Sequence, residues 1–234
     1  MKRYFTPLPQ SSRHAGPSLL LLAIVYTCLM LAGVRLGGMF KIPSDSPANA
    51  VAYIAAHGAS MRWGSFFELG SAIPLGIFIA TVVSRLRFFG VRVAGESIAF
   101  LGGTCATLML MLSALSGWST TRPGIAETPG AVRALEAVSF LGGGPGFAVG
   151  LGLFLAGVSI PAGLYKMIPR WLMILGLVIA VACEFASFSV VNFNFVFGIP
   201  VGRFFSVIWM FGIALTLPSR LADPASGTAP NAQA

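Results

Sequence analysis

The chain has 234 residues, of which 56% are hydrophobic and only 9% charged, where soluble domains carry about 25% charged residues. So few polar residues cannot cover a water-facing surface, which excludes a soluble globule. The apolar residues also form continuous runs such as LLLLAIVYTCLMLAGV, not the alternating pattern of a membrane β-barrel, so spanning helices with internally closed backbone bonds are expected.

Net charge is +8 and the isoelectric point about 10.1, yet the Lys and Arg residues sit between or at the ends of apolar runs. No basic stripe with interleaved aromatics exists, so nucleic acid is excluded as a partner and the lipid bilayer is the expected one. The three cysteines, Cys28, Cys105 and Cys183, lie inside apolar runs with no C-x-x-C pair. They read as small apolar packing, not as a redox or zinc site.

In chain order, residues 1–17 carry Lys2, Arg3 and Arg13 and are expected to be cytoplasmic. The run Ser18–Val34 that follows is longer than a signal-peptide core of about 7–15 residues, and no A-x-A site follows it. It is read as a retained first span reaching Phe40. The six expected spans are Ser18–Phe40, Gly64–Val83, Val93–Leu115, Ala134–Ile160, Trp171–Val190 and Pro200–Leu217, each near the roughly 20 residues that cross a hydrocarbon core. Together, residues 18–218 form one all-α domain, a six-helix transmembrane bundle. Residues 219–234 (from ADPASGTAPNAQA, small and polar) are expected to be a disordered cytoplasmic tail.

Between the first two spans, Ser46 can cap a helix that starts at Pro47, and Gly58 can end it. A short outer-side helix at 47–57 is expected, with Val51 and Ile54 on one face and Asn49, Tyr53 and His57 on another. It reads as a helix lying on the outer leaflet, with a lid over the bundle mouth as the alternative.

Charge sets the orientation. With the N-terminus inside, the inner cations are Lys2, Arg3, Arg13, Arg85, Arg87, Arg92, Lys166, Arg170 and Arg220. The outer ones are Arg35, Lys41, Arg62, Arg122, Arg133 and Arg203. The inner excess, over shorter loops, favours both termini inside. Trp63, Trp118 and Trp171 fall at span ends, where amphipathic rings prefer to lie.

Spans two and four each carry a Pro-Gly step about eleven residues in, Ser71–Gly76 and Gly142–Gly146, a hint of a duplicated hairpin of the kind transporters use. In the fourth span, Gly142, Gly146 and Gly150 share one face and allow another helix to approach closely. Pro145 removes a backbone hydrogen bond and is expected to kink the helix. Tight packing with a kink is the plainer account of these residues; a broken helix whose freed backbone binds an ion is the sharper one.

Only seven acidic residues exist, and a charge near the bilayer centre costs about 2.5–3.5 kcal/mol on insertion scales. Glu68 and Glu136 lie early in outer-to-inner spans, and Glu184 lies about 20 Å up an inner-to-outer span. Arg203 opens the last span, with Arg62 and Arg133 near the same side. The six residues Glu68, Glu136, Glu184, Arg203, Arg62 and Arg133 are therefore a candidate outer-side cluster, either structural ion pairs or a solute-binding site. Glu184 and Arg203 are the expected pair. Glu96, near Arg92, stands apart on the inner side.

Enzyme readings find little support. His14 and His57 lie outside the spans, which excludes haem ligation between helices. There is no H-E-x-x-H, nucleophile elbow, Walker or Rossmann pattern. No catalytic residue, cofactor or metal is expected.

Several short motifs occur in a familiar order. They are Ser46-Pro47, Gly64-Ser65-Phe66-Phe67, Ala72-Ile73-Pro74-Leu75-Gly76, Ser84-Arg85-Leu86-Arg87, Pro169-Arg170-Trp171, Pro200-Val201-Gly202-Arg203-Phe204, Trp209 and Leu217-Pro218. Over residues 18–220 the chain resembles an uncharacterised family of bacterial six-span membrane proteins classed as a domain of unknown function. The resemblance implies a bacterial cytoplasmic (inner) membrane location and six spans, and matches the family's arginine at the start of span six to Arg203. It implies no substrate. Function is therefore expected to be small-solute or ion transport or binding through the outer-side cluster. The alternative is a non-catalytic accessory protein that packs against a membrane partner, or a second copy of itself, through the glycine face.

Overall fold

The computed structural model describes residues 13–37 and 46–220. The first span's continuation to Phe40, the cations Lys2, Arg3 and Lys41, and the tail beyond Arg220 lie outside them. Within the described residues the chain is helical with no strand, apart from an isolated bridge between Arg13 and Arg220. The helices are α1 (Leu19–Gly37), α2 (Pro47–Phe88), α3 (Ala94–Ser119), α4 (Pro129–Leu141), α5 (Phe147–Leu164), α6 (Arg170–Phe185) and α7 (Gly198–Thr216). A turn of wider π-type helix, Gly142–Gly146, joins α4 to α5, and two 3₁₀ turns, Ala186–Val190 and Phe193–Phe197, join α6 to α7. Counting α4 to α5 as one, six segments among the described residues are long and apolar enough to cross a membrane.

The separate helix expected at 47–57 is instead the first part of α2, which runs unbroken for 42 residues. At 1.5 Å per residue it is about 63 Å long, twice a hydrocarbon core of about 30 Å. Gly58 does not end it. A helical glycine costs only about 1 kcal/mol, and packing on both sides of Gly58 outweighs that: Ala50, Ile54 and Met61 form a small core with Val132 of α4, covered by Val51 and Ala126. Span two and the loop before it are therefore one rod, neither lid nor loose surface helix.

The helices close a ring in which α1 packs on α2, α2 on α3, α3 on α5, α5 on α6, α6 on α7 and α7 on α1. Large side chains fill it: Tyr26, Phe78, Phe154 and Trp209 are fully buried. Phe154 meets Phe78 and Trp209 edge-on at 6.5 and 5.7 Å, and the Trp209 indole N–H donates to the Ser159 hydroxyl at 3.1 Å. The outer faces of the ring are as apolar as its interior, with Leu21, Ile73, Leu101, Leu108, Val178 and Leu215 all exposed. Water does not favour such an exterior.

The glycine face is used within the chain. A Cβ on Gly150 would lie 2.6 Å from the Ala106 nitrogen, one on Gly142 3.1 Å from the Met109 oxygen, and one on Gly146 3.1 Å from the Met109 sulfur. Gly157 continues the row, 2.6 Å from the Ala99 nitrogen. This is close backbone packing of small residues, with α3 as the neighbour. The sequence hint that spans two and four are related is not matched in local geometry. Pro74 sits inside regular α2, whereas Pro145 sits in the π turn beside Gly144, whose φ of −95° and ψ of −106° break the helix.

The first and last described residues meet at one end of the ring. The His14 N–H donates to the Ser219 carbonyl at 2.9 Å, and buried Arg85 donates from Nη1 to the Leu217 carbonyl at 3.3 Å. Arg87 of α2 pairs with Glu96 of α3 at this end, which gives a partner to the glutamate that the sequence reading left standing apart.

Candidate functional site

Ser65, Glu68 and Ser71 recur every three residues on α2 and so share a face. That face meets Tyr26 of α1, Ser113 of α3, Ser139 of α4, the backbone of the π turn and Arg203 of α7 around a cavity of about 110 Å³. Since a liquid water occupies about 30 Å³, the space holds a few waters or a solute of several non-hydrogen atoms. It reaches from Tyr26 to Gly37 along α1 and from Ser71 to Met61 along α2, toward the end of the ring opposite His14 and Ser219.

Two charges face each other there. Arg203 Nη2 lies 3.8 Å from Glu68 Oε1, with side chains 14% and 26% exposed. The separation is longer than a hydrogen bond, whose limit is about 3.2 Å. Arg203 is held mainly by other contacts: Nη2 donates to the Gly143 carbonyl at 2.8 Å, and the guanidinium lies 5.0 Å from the Phe147 ring centre. Its buried Nε has no hydrogen-bond partner. On the other side, the Ser113 hydroxyl donates to Glu68 Oε1 at 3.2 Å. The Ser139 hydroxyl donates to the Ser113 carbonyl at 2.9 Å.

The kinked turn explains why Arg203 can reach this position. Only residues without side chains fit the crossing: a Cβ on Gly144 would come within 3.0 Å of Ile199 Cδ1, and one on Gly143 within 3.4 Å of Glu68 Oε1. The glycines thus bring backbone carbonyl, carboxylate and guanidinium into one small volume. π turns of this sort often lie at functional sites.

No protein-family model, curated protein or solved structure matches the chain. The site must therefore be judged on its own chemistry.

Of the six charges singled out in the sequence, the structure joins Glu68 and Arg203. The expected Glu184–Arg203 pair does not form, because Glu184 extends from α6 along α5, with Oε1 beside Gly152, while Arg203 turns inward to Glu68. Glu136 is buried on α4, one turn from Arg133, outside the cavity lining. Arg62 is exposed on α2 near Gly58. Sequence reasoning missed Tyr26, Ser113 and Ser139; the three-residue spacing of Ser65, Glu68 and Ser71 was the available signal for a polar face. Among the described residues, no three His, Cys, Asp or Glu side chains gather as metal ligands.

The arrangement has a cationic fork, a carboxylate and several hydroxyls between apolar walls. It can recognise a small polar or charged solute and exchange a proton.

Proposed function

We propose that the chain is a multi-pass protein of a bacterial cytoplasmic membrane, with both termini inside, that takes a small polar solute or ion from the outside into the Glu68–Arg203 cavity and passes it across. The observation that supports this most is an ion pair held at 3.8 Å beside open space in the middle of an apolar ring. Ionisable groups at such depth are expensive and usually mark a ligand or ion path. A purely structural pair gains most from close geometry, which this one lacks.

Orientation rests on charge. The described cations at the terminal end are Arg13, Arg85, Arg87, Arg92, Lys166, Arg170 and Arg220, against Arg35, Arg62, Arg122, Arg133 and Arg203 at the other. That excess favours the terminal end inside, which turns the cavity toward the outside. Docking to a partner through the glycine face is less favoured, because α3 covers that face.

Labelling from outside tests the reading. Cys28 and Cys105 are changed to Ala, and Ser139→Cys is treated in intact cells with a membrane-impermeant maleimide. Ser139→Cys should react, as should Gly130→Cys on the exposed start of α4, while Ala72→Cys, fully buried, should not. An unreactive Ser139→Cys in a chain whose Gly130→Cys reacts means a sealed cavity and sinks the proposal.

A further inference from the structure

We infer that the occupant is a small monocarboxylate anion and that it enters with one proton, which Glu68 takes up. This rests on the reading of the cavity as a solute site. It starts from the way Arg203 is seated. Its Nη2 is committed to the Gly143 carbonyl at 2.8 Å, its partner carboxylate is beyond hydrogen-bond reach at 3.8 Å, and its buried Nε has no acceptor. A buried donor left over needs an explanation. An arriving carboxylate supplies one, because the guanidinium fork matches a planar carboxylate with two parallel hydrogen bonds.

Charge balance then brings in the proton. Among the described lining residues the charges balance, one guanidinium against one carboxylate. A monoanion on Arg203 would add a negative charge that no described lining residue matches, and an unmatched charge in an apolar interior is unfavourable. Protonating Glu68 removes that charge. Among the described residues, groups facing Glu68 include Arg203 from α7, Tyr26 from α1, the Ser113 hydroxyl from α3 and the Gly143 backbone from the π turn. The Ser113 hydroxyl, a donor to the carboxylate at 3.2 Å, can turn to accept from the carboxylic acid. The proton comes from water at the cavity mouth and no bond in the solute changes.

Size and lining narrow the ligand. About 110 Å³ suits an acid of a few carbons, with Met30, Leu110 and Ile199 as walls for its alkyl end. Arg203 is the one cation among the described lining residues, so a dicarboxylate would carry an unmatched charge.

The full chain in lipid nanodiscs is titrated with acetate and propionate by calorimetry between about pH 6 and pH 8, in buffers of different ionisation heat. One linked proton predicts affinity rising about tenfold for each pH unit lowered, with one proton taken up per anion. Glu68→Gln should bind the anion with a flat pH profile, and Arg203→Lys should bind at least about tenfold more weakly, a loss of about 1.4 kcal/mol. If Glu68→Gln keeps the tenfold slope, the proton rides on the ligand and the inference fails. It fails too if the parent takes up no proton, a measurement that stands even where Glu68→Gln does not fold. Glycine binding without proton uptake, in place of acetate, would show a zwitterion site instead. Absence of acetate and propionate binding in a chain whose Ser139→Cys labels overturns this inference and leaves the solute reading standing.

Discussion

At the level of single residues, the central fact is that Arg203 answers to Glu68 and not to Glu184. A double-mutant cycle measures this. Arg203→Met alone removes the guanidinium that faces Glu68 and should lower the thermal midpoint in detergent. Combined with Glu68→Gln it should lower it by less than the two single effects summed, with a coupling of about 1–3 kcal/mol. Arg203→Met with Glu184→Gln should be additive, since Glu184 lies against Gly152 on another face. The reverse pattern would restore the sequence-based pairing. Both members of the true pair were legible in the sequence, because a charge in an apolar run stands out in any composition. Their pairing was not. Counting residues along a helix gives height, which placed Glu68, Glu184 and Arg203 in one layer; only the order of helices around the ring and the rotation of each one decides which charges meet. Tyr26 and Ser113 were hidden for a related reason. Hydroxyls are unremarkable in membrane helices, where they bond the preceding turn, as Thr27 does to the Ala23 carbonyl at 2.7 Å.

At the level of elements, two features set the site: the length of α2 and the close crossing of α3 with α4 and α5. Continuous apolar runs pointed to six long helices, and six helices long and apolar enough to cross a hydrocarbon core are present among the described residues. The sequence pattern misjudged where α2 begins. A Ser-Pro start and a glycine eleven residues later are local signals, and the contact of Ala50, Ile54 and Met61 with Val132 is not local. The glycine spacing of the fourth span was readable as a packing face, though not the identity of its neighbour. The crossing makes a sharp prediction. Gly150→Ala puts a methyl 2.6 Å from the Ala106 backbone nitrogen, where no flexible side chain can yield. It should destabilise by about 1–3 kcal/mol despite alanine's better helix propensity. Gly130→Ala, with nothing within 4 Å, should stay within about 0.5 kcal/mol of the parent. Equal midpoints for the two variants in detergent would mean that α3 and α5 are not in backbone contact.

At the level of the whole molecule, the ring is closed by α7 on α1, and the segments just before α1 and after α7 reinforce that closure. Arg13 bridges Arg220, and His14 donates to Ser219 through its backbone. The His14 ring reaches across to α2, with Nε2 3.0 Å from the Ser84 hydroxyl and its edge toward Phe88 at 5.6 Å. Burial, and then the Arg85 cation, hold this imidazole below its ordinary value of 6.5. Its Nδ1 is buried without a hydrogen-bond partner, so an added proton would arrive at an atom with no acceptor, close to another cation. The folded chain thus prefers neutral His14 and the unfolded chain binds the proton more readily. The contribution is complete above about pH 6.5 and is lost as pH falls through the lower folded value. His14→Gln keeps a polar side chain but cannot titrate, so it separates the proton from the packing. The midpoint gap between the parent and His14→Gln, in detergent, should favour the parent at about pH 7.5 and shrink by about pH 5.5. A gap that stays constant or widens on acidification would show that the terminal clasp does not depend on a neutral ring, and that the ring's closure owes its stability to α1 and α7 alone.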